Sequence, residues 1–180
     1  MATSSHLSEI GHATVRLVCA GPTERPILAN LLQLYYYDFS EFTDDSDSVV
    51  DDHGLFPAYP ELDSYLATAD RHAYLVRQDH RVQGFVFVRK LERNFDEPTW
   101  GMQEFFILRH ERRRGMGRQA AMAAFAKHPG RWEVGVLHAN SVALAFWRNV
   151  ITDVTHGRWS VEGADDPTSP GPLFIFRVPA

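Results

Sequence analysis

Several things are scarce in this chain, and each scarcity removes a class of protein. There is a single cysteine among 180 residues, Cys19, so no intramolecular disulfide can staple the fold. Set between Leu17, Val18 and Ala20 in an expected strand, that thiol reads as buried packing, because nothing beside it in sequence would lower its pKa. No stretch approaches the ~18 apolar residues of a membrane span, and the first residues, Met1 to His6, carry neither a basic nor an apolar leader segment. A soluble cytoplasmic protein with no membrane partner is expected. Internal repeats, low-complexity tracts and linkers are also missing. With 44% hydrophobic and 23% charged residues there is enough apolar material for one full core, so residues 1–180 are expected to form a single domain.

The scarcest local commodity is positive charge, since no Lys or Arg occurs between Arg25 and Arg71. Residues 1–70 carry two basic and twelve acidic side chains, and residues 71–180 carry sixteen and eleven, so a net charge of −5 conceals halves of −10 and +5. Such a division suits an anionic cofactor on the basic half and a cationic substrate near the acidic one. Solvated acidic loops account for the same numbers. Glu41, Asp44, Asp45, Asp47, Asp51 and Asp52 lack the alternating ligands and closing glutamate of a calcium loop, and no metal is expected. Nucleic acid is not expected either, because the arginines gather at one turn of an acidic protein rather than along a phosphate track.

That turn is the centre of the chain. Glu104 to Leu108 reads as an apolar strand, Arg112-Arg113-Arg114-Gly115-Met116-Gly117 as a basic glycine turn, and Arg118 to Phe125 as an Ala-rich helix. Glycines allow close approach and positive φ. The free N–H groups and dipole of a helix start favour an anion, so a phosphate-bearing cofactor is expected here.

Around it the elements follow in order. A first strand spans Thr14–Cys19, and Ile27, Leu31, Leu34, Tyr35 and Phe39 keep a helical period after Pro26. Tyr35-Tyr36-Tyr37 adds more aromatic surface than one core stripe hides, so part of it is expected to pack and part to line a pocket. A short helix follows near 60–66. Strands at 72–77 and 82–88 form a hairpin, and a third run from Trp100 to Leu108 feeds the glycine turn. After Pro129-Gly130 come a strand at 131–137, a helix starting at Asn140-Ser141, and two strands, at 152–161 and at 173–178.

Arg112-x-x-Gly115-x-Gly117 between a strand and a helix resembles the Gln/Arg-x-x-Gly-x-Gly/Ala motif of the GNAT superfamily of N-acetyltransferases. Val82-Gln83-Gly84-Phe85-Val86 is similar to that family's third strand, and Asn140-x-x-Ala143-x-x-Phe146-Trp147 to its Asn-x-x-Ala-x-x-Phe-Tyr segment. The resemblance covers residues 72–150 well. It implies an α+β fold of α/β/α layers, with a mixed, mostly antiparallel sheet of about seven strands, splayed between its two central strands and flanked by about four helices. It further implies acetyl-coenzyme A as co-substrate, transfer of the acetyl group to a primary amine by direct attack in a ternary complex, and a small-molecule or peptide acceptor. A homodimer is compatible with it.

By the same resemblance, the backbone from Arg113 to Arg118, with Arg112, holds the pyrophosphate, and Phe106 and Ile107 offer backbone groups to the pantetheine arm and the thioester carbonyl. Phe146 and Trp147 then lie beside the cofactor. Asn140 either contacts the arm or simply caps its helix. Trp147 stands where the family frequently has a tyrosine acid, and an indole cannot serve as one, so it reads as packing. Tyr36, Tyr37 and His138 are the replacements considered, with Tyr36 and Tyr37 also expected to meet substrate. Glu104 is the candidate base, sharing a strand face with Phe106 and Leu108 and opposite Phe105 and Ile107. The missing tyrosine also leaves a non-catalytic acyl-coenzyme A sensing module as an alternative.

Overall fold

The structure, a computed structural model, describes residues 14–43 and 49–179. The leader reading at Met1 to His6, and Asp44, Asp45 and Asp47 of the acidic loop, lie outside the described residues. In order, β1 (Val15–Cys19) leads to α1 (Arg25–Phe39) and the short α2 (Leu62–Ala67), then to β2 (Arg71–Gln78), β3 (Arg81–Leu91) and β4 (Thr99–Ile107). The second half runs α3 (Met116–Lys127), β5 (Gly130–Gly135), α4 (Ser141–Thr155), β6 (Trp159–Glu162) and β7 (Leu173–Val178). The strands form one sheet in the order β1-β2-β3-β4-β5-β7-β6. Its pairings are antiparallel except for β4 with β5, which are parallel.

Alternation along the strands divides the core in two. On one face Leu28, Leu31 and Leu32 of α1 and Leu62 and Tyr65 of α2 pack on Leu75, Phe85, Phe87 and Phe106. On the other, α3 and α4 cover Val76, Val86, Met102, Ile107, Trp132 and Phe174. Ala120, Ala121 and Ala124 let α3 lie close to the sheet. Phe85, Phe87 and Trp132 are fully buried, each contributing about 1.5–3 kcal/mol of transfer free energy. Glu104 and Phe106 do share a face, with Phe105 and Ile107 on the other.

Three local expectations change. Cys19 is exposed, because β1 is the sheet edge and packs through Val15 and Leu17 only. Leu34 is 49% exposed, since the buried stripe of α1 runs through Leu28, Leu31 and Leu32. Residues 152–155 finish α4 rather than start a strand, the helix ending at His156 and Gly157, both at positive φ. Among the described residues no helix is long and apolar enough to cross a membrane, and no three His, Cys, Asp or Glu are grouped to hold a metal ion.

Gly84 on β3 faces Ile107 of β4, and a Cβ there would lie 2.0 Å from the Phe106 carbonyl oxygen. Backbone cannot yield as a flexible side chain can. Gly84→Ala should therefore part the strands that carry the site and cost about 1–3 kcal/mol. A urea midpoint equal to wild type would contradict that packing.

Candidate active site

The site begins where β4 and β5 stop being neighbours. Their pairing covers Thr99 to Met102 against Arg131 to Val134 and goes no further. Beyond Met102 an irregularity in the β3–β4 register at Gln103 resets the strand before Glu104 pairs with Phe87. From there Leu108 N–H donates to the Gln83 carbonyl at 2.9 Å. An antiparallel ladder alternates, so Phe106 and Leu108 turn their backbone groups to β3, against the expectation that Phe106 offers its own to a cofactor arm, and Phe105 and Ile107 turn theirs into the opening. On the far side, Val136 and His138 donate to the Pro172 and Pro170 carbonyls, both at 3.1 Å, which draws the β5 extension toward β7. Two strands thus diverge, and the backbone between them is paired by neither strand.

At the wide end lies the glycine turn. Arg113 has φ 61° and Gly115 φ 80°, and Gly115 precedes the first residue of α3. Gln119 N–H bonds the Gly115 carbonyl at 3.1 Å, so the amides of Met116, Gly117 and Arg118 precede the helical ladder and point out of the helix end. Gly117 sits against α4, where a Cβ would approach the Phe146 ring to 3.3 Å. Buried Met116 anchors the turn. A backbone amide nest, a dipole and an open strand edge fit a pyrophosphate with an extended amide-bearing arm. The residues present therefore suit a coenzyme A.

The arginines divide their work. Arg112 turns inward, its Nε donating to the Ile107 carbonyl at 2.8 Å and its Nη2 to Asp38 of α1, while Arg109 Nε donates to the other Asp38 oxygen at 2.7 Å. This bridge ties the end of α1 to the turn and leaves the Ile107 N–H as the group aimed into the splay. Arg114 reaches Glu111 at 3.4 Å and Arg118 reaches Asp153 at 3.2 Å. Arg113 is exposed.

Glu104 is partly buried and hydrogen-bonded through both oxygens. Tyr35 Oη donates to its Oε2 at 2.6 Å and Tyr59 Oη to its Oε1 at 3.1 Å. Burial raises the carboxyl above its ordinary value, with the two phenol bonds pulling it down. Burial and the neighbouring carboxylate raise both phenols well above theirs. Tyr36 rests against Phe56, 6.0 Å between centroids, and Tyr37 is 65% exposed on the outside of α1. His138 is exposed past the end of β5. Asn140 Oδ1 accepts the Ala143 N–H at 2.9 Å as the cap of α4. Trp147 is 5% exposed, edge-on to Phe105 at 4.9 Å and near Phe125. Tyr35 as a partner of Glu104, and Tyr59 altogether, escaped the sequence reading. The one local sign was the aromatic density of a run that also had to pack.

Residues 30–150 match the acetyltransferase (GNAT) family. The chain belongs to that family, whose members are acetyl-coenzyme A-dependent acyltransferases. Among solved structures, an acetyltransferase from Thermus thermophilus is 17% identical at a TM-score of 0.63, over 92% of this chain and 97% of that one. AAC(6')-Ib in complex with ribostamycin and coenzyme A is 13% identical at a TM-score of 0.61, over 91% and 93%. The aminoglycoside acetyltransferase meta-AAC0020 from an uncultured soil metagenomic sample, in complex with sisomicin, is 17% identical at 0.56, over 76% and 86%. A search of curated proteins returns no match.

The native state holds the Glu104 proton more tightly than the unfolded chain, so the stability this group confers falls as pH rises from its ordinary 4.5 through the raised native value, then levels off. Glu104→Gln cannot ionise and should gain on wild type over that window. Urea midpoints taken between about pH 4 and pH 8 should separate upward in favour of the variant. Parallel midpoints would mean the carboxyl is not desolvated.

Proposed function

We propose that this enzyme transfers an acetyl group from acetyl-coenzyme A to a primary amine of a small cationic molecule, by direct attack in a ternary complex. The observation that carries it is the junction of the β4–β5 splay with the amide-lined start of α3. Acetyl-coenzyme A, when bound, supplies an acyl thioester as electrophile. The amides of Arg113 to Arg118 hold its pyrophosphate, Gly117 and Phe146 form the wall beside it, and the Ile107 N–H is the donor aimed at the acyl oxygen. Glu104 takes the proton that the acceptor must lose before its nitrogen can attack. His138, exposed past the end of β5, is the candidate to return a proton on the leaving-group side, since Trp147 is enclosed among aromatic rings.

A cationic acceptor is supported by charge. The end of α1 and the loop to α2 expose Glu41, Asp51 and Asp52, with no Lys or Arg from 26 to 70 to neutralise them. Two structural neighbours were solved with the aminoglycosides ribostamycin and sisomicin, which are polycationic amines. The second reading, a non-catalytic acyl-coenzyme A sensor, draws on Trp147 in place of a tyrosine acid.

Thiol release from acetyl-coenzyme A over a panel of spermidine, sisomicin, ribostamycin, ethanolamine and tryptamine separates these readings. Turnover with the polycations is expected, and tight coenzyme A binding with no turnover on any amine would favour the sensor. Glu104→Gln should lower kcat by about 10²-fold or more with coenzyme A affinity unchanged. Gly115→Val, forced into a positive φ, should instead weaken coenzyme A binding; equal affinity would remove the turn from the site.

A further inference from the structure

Glu104 has both carboxylate oxygens committed, Oε2 to Tyr35 at 2.6 Å and Oε1 to Tyr59 at 3.1 Å, inside a largely buried setting. A base held in this way has a ready route for a proton along either of its own hydrogen-bond donors. The two phenols are not equivalent. Tyr35 belongs to α1 and is packed edge-on to Phe85 and Phe106, with Tyr36 and Phe39 beside it. Tyr59 comes from the irregular segment before α2 and packs by one ring edge on Phe87 and by another on Tyr65, which leaves it less enclosed than Tyr35.

That segment is fixed rather than loose. The Gln33 side chain bonds the Phe56 backbone both ways, accepting its N–H at 2.8 Å and donating to its carbonyl at 3.2 Å. Asp51 Oδ1 accepts the N–H groups of His53 and Leu55, each at 2.9 Å, which closes the preceding turn. That hydroxyl is held on the carboxylate with the buried Tyr65 hydroxyl beside it, so of its two lone pairs at most one is taken within the protein.

Resting on Glu104 as the base, the geometry points to Tyr59 as the catalytic residue through which Glu104 takes the acceptor's proton, with Tyr35 as the positioning residue that holds the other carboxylate oxygen. In the step, an N–H bond of the acceptor ammonium breaks and an O–H bond forms at Tyr59 Oη. At the same time the original Tyr59 O–H bond breaks and a new one forms at Glu104 Oε1. The N–H electron pair stays on nitrogen as the nucleophile, the phenol is regenerated, and one proton has moved in net to the carboxylate. Because burial and the carboxylate hold the Tyr59 phenol far above its ordinary value, no free phenolate intervenes and the two transfers are concerted.

The test uses the fastest amine of the panel above, under single-turnover conditions. Tyr59→Phe keeps the ring that packs on Phe87 and removes only the hydroxyl. It should lower the rate by about 10²-fold while coenzyme A affinity stays close to wild type. In mixtures of H2O and D2O the wild-type rate should bow below a straight line, as two protons in flight require, and the residual Tyr59→Phe rate should be linear. A merely structural role would not change that curvature. A wild-type rate for Tyr59→Phe, or a straight line for wild type, overturns the relay, and with an inactive Glu104→Gln it leaves the base standing. An active Glu104→Gln, or no turnover on any amine, overturns the base and the relay together. Should Tyr59→Phe lose its fold, the wild-type curvature alone decides.

Discussion

One parallel pairing governs the rest of this molecule. β4 and β5 share a ladder only as far as Met102 and Val134, and beyond it each strand is pulled to a different neighbour. β4 is held to β3 as far as Leu108, and the extension of β5 follows β7 through Val136 and His138. Backbone N–H and C=O groups left unpaired in a protein interior are costly. Here they are left at the mouth of a sheet, where an extended ligand with its own amides can complete them, so in the proposed function the break in the sheet is itself the binding device.

Everything placed around the opening depends on where it falls. α3 starts at its wide end and brings amides that have no helical partner. α4 lays Phe146 against Gly117 and Trp147 against Phe105, closing the floor with packed rings. On the other face, α1 is tied to the turn by Asp38, which takes both Arg109 and Arg112. Exposed ion pairs contribute little to stability, typically about 0–1 kcal/mol each. The consequence of this bridge is geometric: the helix carrying Tyr35 and the turn assigned to the cofactor are joined through one carboxylate, so the acceptor side and the cofactor side are set relative to each other.

The parts legible in the sequence are those written locally. Gly115 and Gly117 declare themselves because positive φ and a close helix contact leave few residues able to stand there. Strand alternation placed Glu104 with Phe106 and away from Ile107 without any tertiary information. What stayed hidden are partners made by the fold. Tyr35 and Tyr59 meet Glu104 across 69 and 45 residues, and Asp38 meets Arg112 across 74. The exposure of Cys19 is not written in composition, which says nothing about which strand is an edge. Residues 152–155 belong to a helix that carries polar residues through its last turn and stops only where His156 takes positive φ. The arginine cluster looked like a single phosphate cradle, yet Arg112 is spent on Ile107 and Asp38.

If the splay is the ligand site, its signature lies in the backbone rather than in any side chain. The most direct measurement is the change in backbone amide NMR resonances as coenzyme A is added to the uniformly 15N-labelled protein. The account predicts the largest shifts at Phe105, Ile107 and the amides from Arg113 to Arg118, with the β2–β3 turn near Asp79 and His80 unmoved. Shifts concentrated elsewhere, with 113–118 unchanged at saturation, would contradict it.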